Sequence, residues 1–195
     1  KEATRNSVII SFKSDVTPAE ARATLMGPLE DYVQSILTSM IAQRFNDIVK
    51  KPNAPFINAS VEFGPYLIAK TKDAATYGAD FKEGQWDTAL KGLVAEIVRI
   101  KKFGFTPAEF DRAKKEFLVS VKNTFNERNK RTSEAWANVY VDYFEDGGYL
   151  LDIPTYYQLN QSLAEQFPLE QINAAAQQFD LNKNVFIGLT SVEKP

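Results

Sequence analysis

The chain has 195 residues, 44% of them hydrophobic and 25% charged, with 23 Lys and Arg interspersed among 25 Asp and Glu. That composition builds one globular domain with a sizeable core, leaves no basic field for a nucleic acid backbone, and nowhere reaches the roughly 18 consecutive apolar residues of a membrane span. With no Cys and no His, thiol nucleophiles, Ser-His and Cys-His pairs, a His general base and a Cys/His zinc site are all excluded.

Carboxylates, Lys, Tyr and Ser/Thr remain for chemistry, and an all-carboxylate Mg²⁺ or Ca²⁺ centre is the only metal site left open. The sequence begins at Lys1 without Met and stops at Pro195 just after an apolar run. We read it as a piece of a longer chain.

In chain order, Ser7-Val8-Ile9-Ile10-Ser11-Phe12-Lys13 reads as a first strand, β-branched and aromatic with an apolar centre. Thr17-Pro18-Ala19-Glu20 places a capping hydroxyl, a Pro at the first helical position and a Glu at the third, which together predict a helix start. The tetrapeptide recurs as Thr106-Pro107-Ala108-Glu109, but the residues after it do not match, so the two are independent capping boxes rather than a repeat. Leu29, Val33, Ile36, Leu37, Met40, Ile41 and Ile48 recur at helical spacing, and Lys51-Pro52 must end that helix.

From Phe56 to Glu83 the pattern shortens to strands at Ala59–Phe63 and Thr76–Phe81, with Gly64-Pro65 and Lys72-Asp73 as breakers. Trp86, Leu90, Leu93, Val94 and Ile97 mark a helix ending near Gly104. The capped helix from Thr106 carries Phe110, Ala113, Phe117, Val121 and Phe125 on one face. Trp136, Val139, Tyr140 and Tyr143 mark another, closed by Asp146-Gly147-Gly148. Shorter helices follow at Tyr156–Phe167 and Leu169–Phe179, and Asn184–Thr190 is a last strand. The expected class is α+β, a mixed and largely antiparallel sheet with helices mainly on one face, residues 1–195 forming a single domain.

Three groups carry chemical interest. Glu62, Asp73, Asp80 and Glu83 could supply a glycosidase-like carboxylate pair, although their alternation with apolar residues is that of a solvated strand face. Glu127–Arg131 offers three cations that could clamp a carboxylate or phosphate, or simply form an exposed helix junction. Tyr140, Tyr143, Tyr156 and Tyr157 could line a peptide-binding surface or pack a core. No phosphate loop, dinucleotide fingerprint or EF-hand loop is present.

Several segments then align with a known pattern. Gln43-Arg44-Phe45-Asn46-Asp47-Ile48 followed by Lys51-Pro52-Asn53-Ala54-Pro55-Phe56-Ile57 resembles the second domain of bacterial zinc proteases of the pitrilysin/insulinase family. The run Gly104-Phe105-Thr106-Pro107-Ala108-Glu109-Phe110-Asp111-Arg112-Ala113-Lys114 is similar to the family's helix opening, and Glu127-Arg128-Asn129-Lys130-Arg131-Thr132 to the step after it. The resemblance covers nearly the whole chain. It implies a multidomain protease, two halves around a closed chamber, in which one domain carries the inverted zinc motif His-x-x-Glu-His.

A chain without His cannot be that domain, so the resemblance implies its non-catalytic neighbour, with zinc held next door. The family also uses an Arg and a Tyr after the long helix of a domain in the opposite half. Here that stretch reads Val49-Lys50-Lys51 and then Phe56, whose ring has no hydroxyl to donate. We assign this chain no catalytic, cofactor-binding or metal-binding residue and expect it to be inactive alone. Its expected partners are other domains of the same parent chain and unfolded peptide, not nucleic acid or membrane; its expected location is the bacterial periplasm. An interaction or assembly module that keeps the peptidase fold without hydrolysis is the alternative.

Overall fold

In the computed structural model, which describes residues 5–67 and 71–192, the first strand β1 (Ser7–Asp15) turns Val8, Ile10 and Phe12 to a buried face. It pairs antiparallel with β3 (Lys72–Asp80) and β4 (Val185–Thr190), and β3 pairs antiparallel with β2 (Asn58–Pro65), giving the order β2-β3-β1-β4. Ile10 lies opposite Tyr77 on one side and Ile187 on the other, and Tyr77 opposite Val61, so one apolar row crosses the sheet. Gly64-Pro65 and Lys72-Asp73 do not break the strands as expected: Gly64 pairs with Ala74 and Pro65 with Asp73. An edge strand tolerates Pro because one side of it needs no ladder donor.

The chain gathers into two compact units. The sheet unit comprises the described residues within Lys1–Val16, Leu37–Phe105 and Asn173–Pro195, and includes all the strands. Its helix α3 (Trp86–Phe103) packs on β1 and β3 with Ala89, Leu93, Ile97 and Ile100 buried. The ring of Tyr77 meets Phe12, Phe45 and Phe179 edge-on at 5.8, 6.3 and 5.9 Å. Such T-shaped pairs add to the area term that drives the burial.

The second unit is helical and comprises Thr17–Ile36 and Thr106–Ile172. It holds α1 (Ala19–Arg22), the first half of α2 (Met26–Val49), α4 (Pro107–Asn126), α5 (Ser133–Asp146), α6 (Ile153–Gln166) and the first turn of α7 (Leu169–Ala176). α4 packs on α6, and the buried Tyr32 ring lies edge-on to Phe117 and Phe167 at 5.1 and 5.8 Å. α2 ends ahead of Lys51-Pro52, as expected. Its buried arc is wider than the predicted stripe and takes in Tyr32, Arg44 and Phe45.

The two matching tetrapeptides part ways. At α4 the Thr106 hydroxyl accepts from the Glu109 amide at 3.3 Å and the Glu109 carboxylate accepts from the Thr106 amide at 2.8 Å, a complete capping box. At α1 Pro18 takes the cap position and no side chain caps, which places Glu20 one position short of where the box needs it. That helix lasts four residues. α6 begins earlier than expected because the Asp152 carboxylate accepts from the Thr155 amide at 2.7 Å, with Pro154 in the first turn.

Candidate functional site

The helical unit contains a cleft of about 520 Å³ bounded by α5 and the loop after it. Gly147 and Gly148 sit at φ +69° and +108°, a backbone region costly for any residue with a Cβ. They stop α5, with the Gly147 amide donating to the Tyr143 carbonyl at 3.1 Å, and carry the chain to Tyr149. The Tyr149 hydroxyl donates to Asp31 Oδ2 at 2.5 Å. Its ring lies against Gly27, where a Cβ would come within 2.7 Å of the ring and 2.3 Å of the Arg22 carbonyl oxygen. Only glycine fits there.

Burial, then the hydrogen bond and charge of Asp31, raise the Tyr149 hydroxyl well above its ordinary pKa; burial and the same carboxylate raise Tyr156. Both remain protonated donors near neutral pH. Glu30, Asp142, Arg22 and Arg131 also line the cleft. Glu30 accepts from Gln34 Nε2 at 3.3 Å, and the Arg131 guanidinium lies 4.7 Å over the Trp136 ring. Asp142 has no hydrogen bond or ion pair among the described residues.

The candidates read from sequence are dispersed. The register sets Glu62 opposite Thr76, four positions from Asp80 along the sheet, about 13 Å at a rise near 3.3 Å per residue. Asp73 is an odd number of positions from Asp80 and points to the other face. A glycosidase-like pair needs roughly 5–9 Å, so Glu62, Asp73 and Asp80 do not make one. Asp80 instead pairs with Arg5 at 3.6 Å.

In the run Glu127–Arg131, the Arg128 guanidinium covers the Phe125 ring at 4.2 Å and donates to its carbonyl at 2.7 Å, closing α4. Arg128 and Arg131 thus serve separate rings instead of one clamp. Tyr143 and Tyr156 reach the cleft, Tyr140 is exposed on α5, and Tyr157 stacks on Phe125 at 4.6 Å.

The segment carrying the family resemblance has a structural part to play. Arg44, nearly inaccessible, donates to Glu96 Oε1 at 3.1 Å and to the Gly104 carbonyl at 2.9 Å, with its guanidinium 4.4 Å over the Phe105 ring. Asn173 holds the next peptide, accepting from the Phe105 amide at 2.7 Å and donating to its carbonyl at 3.3 Å. Phe56 is buried edge-on to Phe45 at 5.8 Å. The Asp31–Tyr149 bond and the place of Asp142 in the cleft escaped the sequence reading. Gly147-Gly148-Tyr149 behind an amphipathic helix was the one local signal pointing to them.

The sheet offers a second feature. Opposite its buried face, Ser7, Ile9, Ser60, Thr76 and Gly78 form a shallow groove of about 190 Å³. β4 is an edge strand, with Phe186, Ile187 and Leu189 exposed. Among the described residues no group of three or more Asp or Glu could hold a metal ion, and no helix is long and apolar enough to cross a membrane.

No protein-family model and no curated protein matches this sequence. Solved structures do. The first half of the periplasmic protease PqqL from Escherichia coli superposes with a TM-score of 0.80 at 17% identity, over 96% of this chain and 39% of that one. An insulinase family protease predicted in Yersinia pestis gives 0.79 at 12% identity, over 99% of this chain and 41% of that one. The inactive peptidase domain attributed to a zinc protease of Bordetella parapertussis gives 0.66 at 16% identity, over 100% of this chain and 96% of that one. The α+β fold expected from the resemblance is therefore found, that of insulinase-like zinc protease domains. This chain spans about two fifths of the first two chains named.

Proposed function

We propose that residues 1–195 form a single non-catalytic domain of a multidomain zinc metalloendopeptidase, which walls the substrate chamber, packs on the zinc-bearing domain and holds part of an unfolded peptide. The observation that carries this is the conjunction of a protease-domain fold over 96% of the chain with a sequence that contains no His. An inverted zinc motif needs two imidazole ligands. The donor set here does not fit zinc, and Phe56, which stands where the resemblance implies a Tyr, is buried in a ring pair and has no hydroxyl to steady a tetrahedral intermediate.

The contribution of this domain is then physical. The small, polar side chains on the open sheet face suit a wall facing water. An extended peptide would add to the β4 edge through main-chain hydrogen bonds, its side chains meeting Phe186, Ile187 and Leu189. PqqL is described as periplasmic, which supports the same compartment for the parent protein. The inactive Bordetella domain supports a second reading, an assembly module that keeps the fold without hydrolysis.

Hydrolysis of a quenched unfolded peptide separates them. The 195-residue chain alone should be silent, and adding the zinc-bearing domain of its parent with Zn²⁺ should produce chelator-sensitive cleavage. A parent with no His-x-x-Glu-His in any domain would leave the assembly reading standing. Chelator-resistant cleavage by the isolated chain would overturn both.

A further inference from the structure

Neither a wall nor an open strand edge accounts for the cleft of the helical unit. At about 520 Å³ it falls within the roughly 300–1,000 Å³ typical of ligand sites. Tyr143, Tyr149 and Tyr156 line it together with the carboxylates of Glu30, Asp31 and Asp142. Arg22 and Arg131 also line it, the latter with its guanidinium over the Trp136 ring, so two cations stand against three carboxylates and the lining keeps a net negative charge. Asp142 is left without a partner among the described residues. The negative field of Asp31 is felt at both Tyr149 and Tyr156. A group entering the cleft therefore meets tyrosine side chains and a net negative lining, which together favour an ammonium or guanidinium.

The cleft is also continuous with an apolar strip. α5, which supplies Asp142 and Tyr143, exposes Tyr140 and Phe144 to 55% and 88%, and Trp136 stacks on Tyr140 at 6.3 Å one turn earlier. We infer that this cleft seats a Lys or Arg side chain of an extended polypeptide, whose neighbouring apolar residues lie along the Trp136, Tyr140 and Phe144 strip. The inference rests on the reading that this domain holds unfolded peptide, and it gives that peptide a charge requirement. The hydrogen bond between Asp31 and Tyr149 ties two walls of the cleft together before the side chain arrives.

The test is an NMR titration of the ¹⁵N-labelled chain with two capped twelve-residue Gly/Ser/Gln peptides, one carrying a single Phe-Lys pair and the other Phe-Gln in its place. The Lys peptide should shift the amides of Gly27, Gly147 and Gly148 and bind about fivefold more tightly, about 1 kcal/mol. Asp142→Asn, on an exposed side chain, should abolish that preference without unfolding the chain, and 0.5 M salt should weaken it. Equal binding of both peptides in the cleft overturns the charge requirement. Shifts confined to β4 overturn the cleft and leave the peptide-holding reading intact, while no shift with either peptide sinks both.

Discussion

Aromatic side chains do opposite work in the two units. In the sheet unit Tyr77 and Phe45 are fully buried and interlock by edge contacts, whereas in the helical unit Phe144 is 88% exposed and no described side chain of α5 is buried. Spacing does not explain the difference. Trp136, Tyr140 and Tyr143 repeat with the same helical period as the buried residues of α3. What differs is whether the unit supplies something to cover them. An apolar stripe records that a helix face avoids water, not that the covering partner lies in the same unit.

The comparison breaks most readily at Arg44. Its guanidinium is enclosed with Glu96, so Arg44→Ala leaves the Gly104 carbonyl without that donor and the buried carboxylate with the more exposed Arg99, at 3.4 Å, as its remaining cation among the described residues. The expected loss is about 3–5 kcal/mol, read as a lower urea midpoint at unchanged slope. A loss under about 1 kcal/mol would mean that the sheet unit does not depend on its polar core.

The corresponding tie in the helical unit is weaker and pH-dependent. Tyr149→Phe removes one hydrogen bond to a partly exposed carboxylate, an expected loss of about 1.5 kcal/mol at neutral pH. Four of the eight tyrosines have raised pKa values: Tyr32, pushed up to about 12 by burial, together with Tyr77, Tyr149 and Tyr156. Near pH 10 the unfolded chain releases phenolic protons that the folded chain still holds. Their contribution is thus complete below about pH 10 and is lost as pH rises through the folded values. Urea midpoints should fall from pH 9 to pH 11, less steeply in Tyr149→Phe, and tyrosinate absorbance should rise in two stages. A single stage near pH 10 would show that these hydroxyls are not enclosed.

The caps give a finer comparison between two copies of the same four residues. Thr106→Ala removes half of a working box and should cost about 1 kcal/mol, while Thr17→Ala should cost about nothing, because the Thr17 side chain caps no helix. Equal losses would mean that α1 is capped in solution after all.

That pair also marks how far sequence reasoning reached. Element positions were legible where period and punctuation agree: Pro52 after α2, Gly104 after α3, Gly147 after α5. The identical tetrapeptides were read alike because the pattern is local, whereas the outcome depends on whether a long helix follows. The polar pairs that define the units were not legible at all. Arg44 and Glu96 are 52 residues apart and Tyr149 and Asp31 are 118 apart, and no rule of spacing links a cation or a hydroxyl to a distant carboxylate. The cleft was missed for the same reason. The tyrosines were flagged, but the charge that gives the cleft its character comes from α2 and α5 together.

The smallest effect is the most informative about α5. If the strip on α5 serves no packing role, Phe144→Ser should change stability by less than about 0.5 kcal/mol, in contrast to the 3–5 kcal/mol expected for Phe45→Ala in the sheet unit. The same substitution should weaken binding of the Phe-Lys peptide severalfold while leaving its preference over the Phe-Gln peptide intact, since apolar contact and charge reside in different residues. A Phe144→Ser protein that loses more than about 1 kcal/mol would show that the ring is already covered by its own chain. The contrast between the units would then vanish, and with it the surface on which the apolar part of a peptide was to lie.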